Sequence, residues 1–228
     1  MMRDSHRFIP SLQINIYPLG ERALVLDPTP DAALSWAVQS KLCWIAEQLR
    51  QLPIVEEAIP GMNNLTIVVR ETRQLKALQA KLDSLWHSAP TEEIDSRTIE
   101  IPVSYGGDGG PDLLSVAQFH HLSPEEVVKL HSQASYQVFF IGFQPGFAYL
   151  EGLSKRLHTP RLATPRLTIP AGSVGIGGEQ TGIYPLASPG GWQIIGQTQQ
   201  TLFNPTSDTP CLLKPGDKVR FTPVEIAL

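Results

Sequence analysis

The chain has little cysteine. Of its 228 residues only Cys43 and Cys211 carry thiols, each inside an apolar segment. Two such residues exclude a disulfide framework or a cysteine-built zinc site and predict reduced, packed thiols. An excess of positive charge is missing as well: 18 Lys and Arg against 22 Asp and Glu give a net charge of −4 and a pI near 5.9. Without a basic field, neither nucleic acid nor an anionic membrane is an expected partner. Long apolar runs are absent. Stretches such as VFFI (138–141) fall far short of the roughly 20 residues a membrane helix needs. The opening MMRDSHRFIPSLQ has no apolar region of the signal-peptide kind, so a cytoplasmic location is expected. The six histidines, at 6, 87, 120, 121, 131 and 158, show no metal-ligand spacing, and no metal site is expected.

Glycine and proline, by contrast, are plentiful and unevenly spread. Residues 138–198 hold 11 of the 18 glycines. The same stretch contains Gln144, Phe147, His158, Arg161, Arg166, Ser173, Gln180, Thr181, Tyr184 and Trp192. Glycine allows close backbone approach to a ligand and proline fixes turns, so the cluster suggests a pocket, although each single glycine also fits a tight barrel turn.

The chemistry of that stretch is read residue by residue. Arg161 and Arg166 present guanidinium groups suited to a carboxylate or a phosphoryl group. His158 lies three residues before Arg161 and could serve as general acid or base. These three are the candidate catalytic residues. Gln144, Gln180, Thr181 and Tyr184 could orient an amide or carboxylate, with Ser173 as a pocket hydroxyl. Phe147 and Trp192 would form apolar walls. Gly190 and Gly191 would offer backbone amides to an anion. Surface or core roles compete for each of them. Neither GGDGGPD (106–112) nor GSVGIGG (172–178) continues into Gly-Lys-Ser/Thr, so no phosphate-binding loop is expected. Ala171–Gly175 lacks the first glycine and the strand-to-helix setting of a nucleophile elbow.

The fold class expected is α+β. Strands are predicted over 21–27, 53–60, 65–70 and 97–103, with 13–19 as an extra one. A helix capped near Thr29–Asp31 carries the stripe Leu34, Val38, Leu42, Ile45, Leu49 and Leu52. A second, capped by Thr72, buries Leu75, Leu78, Leu82 and Leu85. The order βαββαβ predicts a ferredoxin-like plait. The polar stretch 88–96 marks a boundary, giving domains 11–95 and 96–228. Beyond it come two short helices, about 112–120 and 124–132, the second opened by a capping box at Ser123–Glu126 with Pro124 at its first position. Short apolar runs then alternate with Gly and Pro turns, which predicts a barrel or a sandwich.

EAIPGMNNLTI, IPVSYGGDGGPDL, GFQPGFAYL, LHTPRLATPR and PAGSVGIGGEQTGIYPLASPGGWQIIG together resemble the KipI family, also described as allophanate hydrolase subunit 1. The likeness runs from about Tyr17 to Phe221 and is strongest to the B subunits of prokaryotic ATP-dependent 5-oxoprolinases. It departs at Ala148, where the family motif carries proline, and at Glu179, where proline or alanine is usual. The resemblance implies a cyclophilin-like C-terminal β-barrel and a hydrolase component that acts on 5-oxoproline only with its partners, the KipA-like C subunit and the A subunit of the same enzyme. It also implies ATP as co-substrate, handled with or by a partner. Two other family roles remain open: inhibition of a sensor histidine kinase, and membership of a urea- or allophanate-processing carboxylase system.

Overall fold

A computed structural model describes residues 13–28, 35–90 and 96–228. The chain divides into two compact units, Met1–Glu92 and Glu93–Leu228. The first contains β1 (Ile14–Leu19), β2 (Ala23–Pro28), α1 (Trp36–Arg50), β3 (Val55–Gly61), β4 (Asn64–Val69) and α2 (Leu75–Ser88). Its strands form one antiparallel sheet in the order β1-β2-β4-β3. Alternation places Leu65, Ile67 and Val69 of β4 on one face, where they pack with Leu42, Ile45 and Leu49 of α1 and Leu78 and Leu82 of α2. The apolar stripes thus do what their spacing requires.

The helix starts differ from expectation. The cap read at Thr29–Asp31, with Leu34, lies outside the described residues, and α1 begins after Ser35, whose Oγ accepts from Val38 N at 3.4 Å. Thr72 does not cap α2. A 3₁₀ turn over Thr72–Gln74 leads into it, and Gln74 reaches back to accept from Glu71 N at 3.0 Å. Most of the 88–96 boundary stretch also lies outside the described residues. Cys43 is packed on α1 and burial pushes its thiol up to about 11. No helix among the described residues is long and apolar enough to cross a membrane.

The plait needs correction. Strand order predicts its fourth strand at 97–103, but β5 (Thr98–Gly106) belongs to the second unit, and β1 takes the sheet position beside β2. Alternation marks 97–103 as a strand without naming its partner. The partner is β13 (Lys218–Ala227), paired in parallel from Lys218↔Thr98 to Ala227↔Gly106.

The second unit is a closed seven-stranded barrel, in the order β10-β7-β6-β13-β5-β12-β9. Its remaining strands are β6 (Tyr136–Ile141), β7 (Ala148–Glu151), β9 (Ser173–Gly177), β10 (Gln180–Ile183) and β12 (Gln193–Gln197). A separate ribbon pairs β8 (Arg166–Ile169) with β11 (Ser188–Gly190). Two helices, α3 (Leu113–Phe119) and α4 (Pro124–Ser132), contribute Val116, Ala117, Val127 and Val128 to the barrel's core. The capping box of α4 is present as expected: Glu126 N donates to Ser123 Oγ at 3.2 Å and Ser123 N to Glu126 Oε2 at 2.8 Å.

One side chain of α4 carries polarity into that core. His131 is fully buried and stacks on Phe221 at 4.5 Å. Thr181 Oγ1 donates to Gly175 O at 2.9 Å, so it accepts from His131 Nε2, also at 2.9 Å. This leaves Nδ1 to accept from Tyr105 Oη at 2.8 Å. The donor sequence defines the tautomer. With every polar atom satisfied by neutral partners, burial holds His131 down at about 3 and pushes the Tyr105 phenol far up.

Candidate functional site

The loop between β6 and β7 is built from two consecutive turns. Gln144 N donates to Gly142 O at 2.7 Å around Phe143, whose φ of 65° is that of a strained γ-turn. Phe147 N then donates to Gln144 O at 3.0 Å, with Pro145 and Gly146 (φ 81°) as the central pair of a type II turn. Gly142 N to Phe147 O, at 3.1 Å, closes the base. The result is a short rigid loop that leaves Phe143 exposed and turns Phe147 inward.

Phe147 is the centre of an aromatic cluster. Its ring lies 5.0 Å from Tyr149, 5.4 Å from Phe143, and 5.5 Å from both Tyr184 and Trp192, each edge to face. Such contacts contribute about 0.5–1.5 kcal/mol apiece beyond burial. A cleft of about 100 Å³ opens on these rings, completed by Pro189, Gly190, Gly191 and Arg161. A Cβ on Gly190 would fall 2.5 Å from the Tyr184 hydroxyl, so only glycine leaves this wall its depth.

Arg161 is held by its backbone and left unengaged at its tip. Leu162 N donates to Gly191 O at 2.7 Å, and Gln193 Nε2 donates to Pro160 O at 3.0 Å, so the chain on either side is clipped down. The guanidinium carbon sits 5.8 Å from the Trp192 ring centroid. Among the described residues no hydrogen bond or ion pair engages it. Burial raises the phenols of Tyr149 and Tyr184, and the Arg161 charge opposes that rise in both.

Arg166 differs. Its Nη2 lies 2.7 Å from Asp112 Oδ1, while Asp112 Oδ2 accepts from Ile194 N at 2.6 Å. This ion pair ties β8 to the start of α3 and to β12, and it consumes the charge. His158 lies away from the cleft lining: Nε2 is 3.4 Å from Leu153 O, and Nδ1 is 4.0 Å from Glu179. The cleft therefore gathers Phe147, Arg161, Tyr184, Gly190, Gly191 and Trp192. It does not gather the rest. Thr181 is part of the buried His131 chain, Ser173 is buried in β9, Gln180 starts β10 beside Gly177, and Gln144 donates to Leu186 O at 3.3 Å. Phe143, Tyr149 and Pro189 line the cleft in addition to the residues that sequence reasoning selects. For the first two, the alternation of aromatics around Gln-Pro-Gly is the signal that could find them.

The glycine-rich segments serve packing. A Cβ at Gly106 would lie 2.0 Å from Ala227 O, and one at Gly177 would enter the Trp192 indole at 2.5 Å.

The carboxyltransferase domain family, subdomains C and D, matches residues 14–213. A protein named as the B subunit of 5-oxoprolinase, from Escherichia coli O157:H7, is 54% identical over 209 residues, covering 91% of this chain and 94% of its own. Among solved structures, TTHA0988 superposes with a TM-score of 0.76 at 37% identity, over 90% of this chain, which spans only 40% of that longer chain. The Kluyveromyces lactis urea amidolyase superposes with a TM-score of 0.75 at 21% identity, over 94% of this chain and 15% of its own, and shows the shared fold alone. The chain belongs to the carboxyltransferase domain family of subdomains C and D, alongside the proteins named as B subunits of 5-oxoprolinase.

Proposed function

We propose that this chain is the B subunit of an ATP-dependent 5-oxoprolinase, a hydrolase that opens 5-oxoproline to L-glutamate together with its KipA-like C subunit and its A subunit. The observation that carries the reading at the site is Arg161, a guanidinium without a hydrogen-bond or ion-pair partner among the described residues, poised over Trp192 at an aromatic cleft of about 100 Å³. That volume suits a five-membered ring, and the cation suits its carboxylate. The aromatic walls exclude water from the ring until it is activated. A lactam is a resonance-stabilised amide, and ATP consumed at its carbonyl oxygen makes the ring carbon open to water. The contribution of this chain is then to grip, orient and shield the substrate, a role that needs no protein nucleophile. Arg166, bound to Asp112, steadies the wall beside the cleft and is not a second anion ligand.

The test is a coupled glutamate-release assay with the chain alone and with its partner subunits. The complete assembly should release glutamate in step with ATP hydrolysis and the isolated chain should not. Steady ATP-dependent glutamate release by the chain alone would overturn the incomplete-enzyme reading, and none from the assembly would overturn the activity itself.

A further inference from the structure

Tyr184 brings a polar group into the aromatic cleft and holds it still. Its backbone is pinned on both sides: Tyr184 N donates to Ser173 O at 2.9 Å, and Gly172 N donates to Tyr184 O at 2.7 Å. Its ring sits edge-on among Phe143, Phe147 and Trp192, and the residue is only 2% exposed. The hydroxyl at the end of that fixed ring stands against Gly190 in the cleft wall, where a Cβ would come within 2.5 Å of it. Burial raises this phenol, and the Arg161 charge and the Trp192 backbone amide both oppose the rise. An amide acts in that sense by donating to the phenol oxygen, which leaves the hydroxyl's own proton to be placed. Among the described residues nothing accepts it. Tyr149, the other phenol of the cleft, is half-buried and lies flat on Phe140 at 4.3 Å, so its hydroxyl is less sealed from water.

We propose that Tyr184 sets the specificity of this site: its hydroxyl donates to the ring carbonyl oxygen of 5-oxoproline while Arg161 holds the carboxylate. The inference rests on the lactam-hydrolase reading above and adds to it the group that tells a lactam from a saturated ring. Carboxylate and carbonyl flank the ring nitrogen of 5-oxoproline, so reading both takes two donors, one cationic and one neutral. A ligand that fills the cleft displaces its water, and a buried donor then left unmatched costs more than a made hydrogen bond gains. A ring of the same size without a carbonyl is rejected on that account. The carbonyl oxygen has two lone pairs. The bond from Tyr184 occupies one and fixes the plane of the lactam, and the other stays open for activation.

Calorimetric titration of the full chain with three ligands tests this. They are 5-oxoproline, tetrahydrofuran-2-carboxylate, which keeps ring and carboxylate but lacks the carbonyl, and 5-oxotetrahydrofuran-2-carboxylate, which keeps the carbonyl but lacks the ring N–H. The wild-type chain should bind both carbonyl ligands more tightly than the third, 5-oxoproline by about tenfold. Tyr184→Phe should weaken the two carbonyl ligands by roughly five- to tenfold and tetrahydrofuran-2-carboxylate by less than about twofold, so that the preference collapses. Arg161→Ala should weaken all three alike and keep the preference, and Tyr149→Phe should keep it too. A merely structural hydroxyl would weaken all three ligands together in Tyr184→Phe. That result would overturn the inference, as would an unchanged preference in Tyr184→Phe or a collapse in Tyr149→Phe, and each leaves the substrate reading of the cleft standing. A wild-type chain that binds none of the three overturns the inference and the substrate reading together. A preference that collapses as expected, in a chain whose assembled complex releases no glutamate, defeats the hydrolase reading and leaves Tyr184 as the reader of a cyclic carbonyl.

Discussion

Two arginines five residues apart should fail in opposite ways when truncated. Arg166→Ala removes one half of an ion pair whose other half, Asp112, is only 10% exposed and keeps a single remaining contact, the Ile194 amide. Breaking a fully buried pair costs about 3–5 kcal/mol. The Arg166 side chain is 32% exposed, so water relieves part of the loss and about 2 kcal/mol is the working figure. At roughly 2–4 °C per kcal/mol for a chain of this size, the melting temperature should fall by about 4–8 °C. Arg161→Ala removes an exposed side chain whose contact among the described residues is the Trp192 face, worth about 0.5–1 kcal/mol. Its melting temperature should move by no more than about 4 °C. Its coupled glutamate release should drop by about 2–4 kcal/mol of transition-state stabilisation, a factor of roughly 30–1,000. Arg161→Lys should restore only part of this, because an ammonium cannot make two parallel bonds to a carboxylate. Calorimetry and the coupled assay on the same preparations separate the two effects. Near-normal turnover in Arg161→Ala, or turnover lost in Arg166→Ala at an unchanged melting temperature, would refute the assignment of anchor and strut.

Three further outcomes follow from the same geometry. His131 is held at about 3 when folded and titrates near 6.5 when unfolded, so between these values the unfolded chain binds more protons and stability must fall as pH drops from about 6.5 to 3, by at most about 5 kcal/mol. His131→Leu, measured by urea denaturation against pH, should cost about 1–3 kcal/mol at pH 7 by orphaning the Tyr105 hydroxyl, and it should flatten this acid limb. Phe143→Gly relieves a positive φ and should leave stability within about 1 kcal/mol of wild type while lowering 5-oxoproline affinity several-fold in calorimetric titration, because one cleft wall is gone. Gly177→Ala drives a methyl into the Trp192 indole and should destabilise by about 1–3 kcal/mol, with a changed tryptophan emission spectrum.

Local signals are legible where one element suffices to read them. The stripe Val38, Leu42, Ile45 and Leu49 is buried on α1, and Ser123 with Glu126 opens α4. Pairing is not legible, because an alternating strand looks the same whether its neighbour is near or far in sequence. That is why element order assigns β5 to the first sheet although Ile101, Val103 and Tyr105 belong to the barrel core. The site divides on the same line. Phe147, Tyr184 and Trp192 are recognisable as walls because aromatics in a Gly/Pro-rich stretch have few alternatives. The commitments of Arg166 to Asp112 and of Thr181 to His131 depend on contacts 54 and 50 residues away, which no local pattern encodes. Most glycines of 138–198 answer to close approach of neighbouring side chains or backbone, while Gly190 and Gly191 line the cleft.

The pairing of β5 with β13 governs how this unit can be made in a cell. Arg97 and Asp217, 120 residues apart, hold the two strands together at one end with an ion pair, and the strand that seals the cylinder is the last of the unit to be synthesised. During translation β5 waits with its apolar face uncovered until nearly everything after it has emerged. Parallel contacts of such separation form slowly, since the entropy of closing the intervening chain is spent before any contact is gained. The exposed half-cylinder is a target for chaperones, and ribosome stalling anywhere before Lys218 should leave an aggregation-prone fragment in place of a smaller folded one.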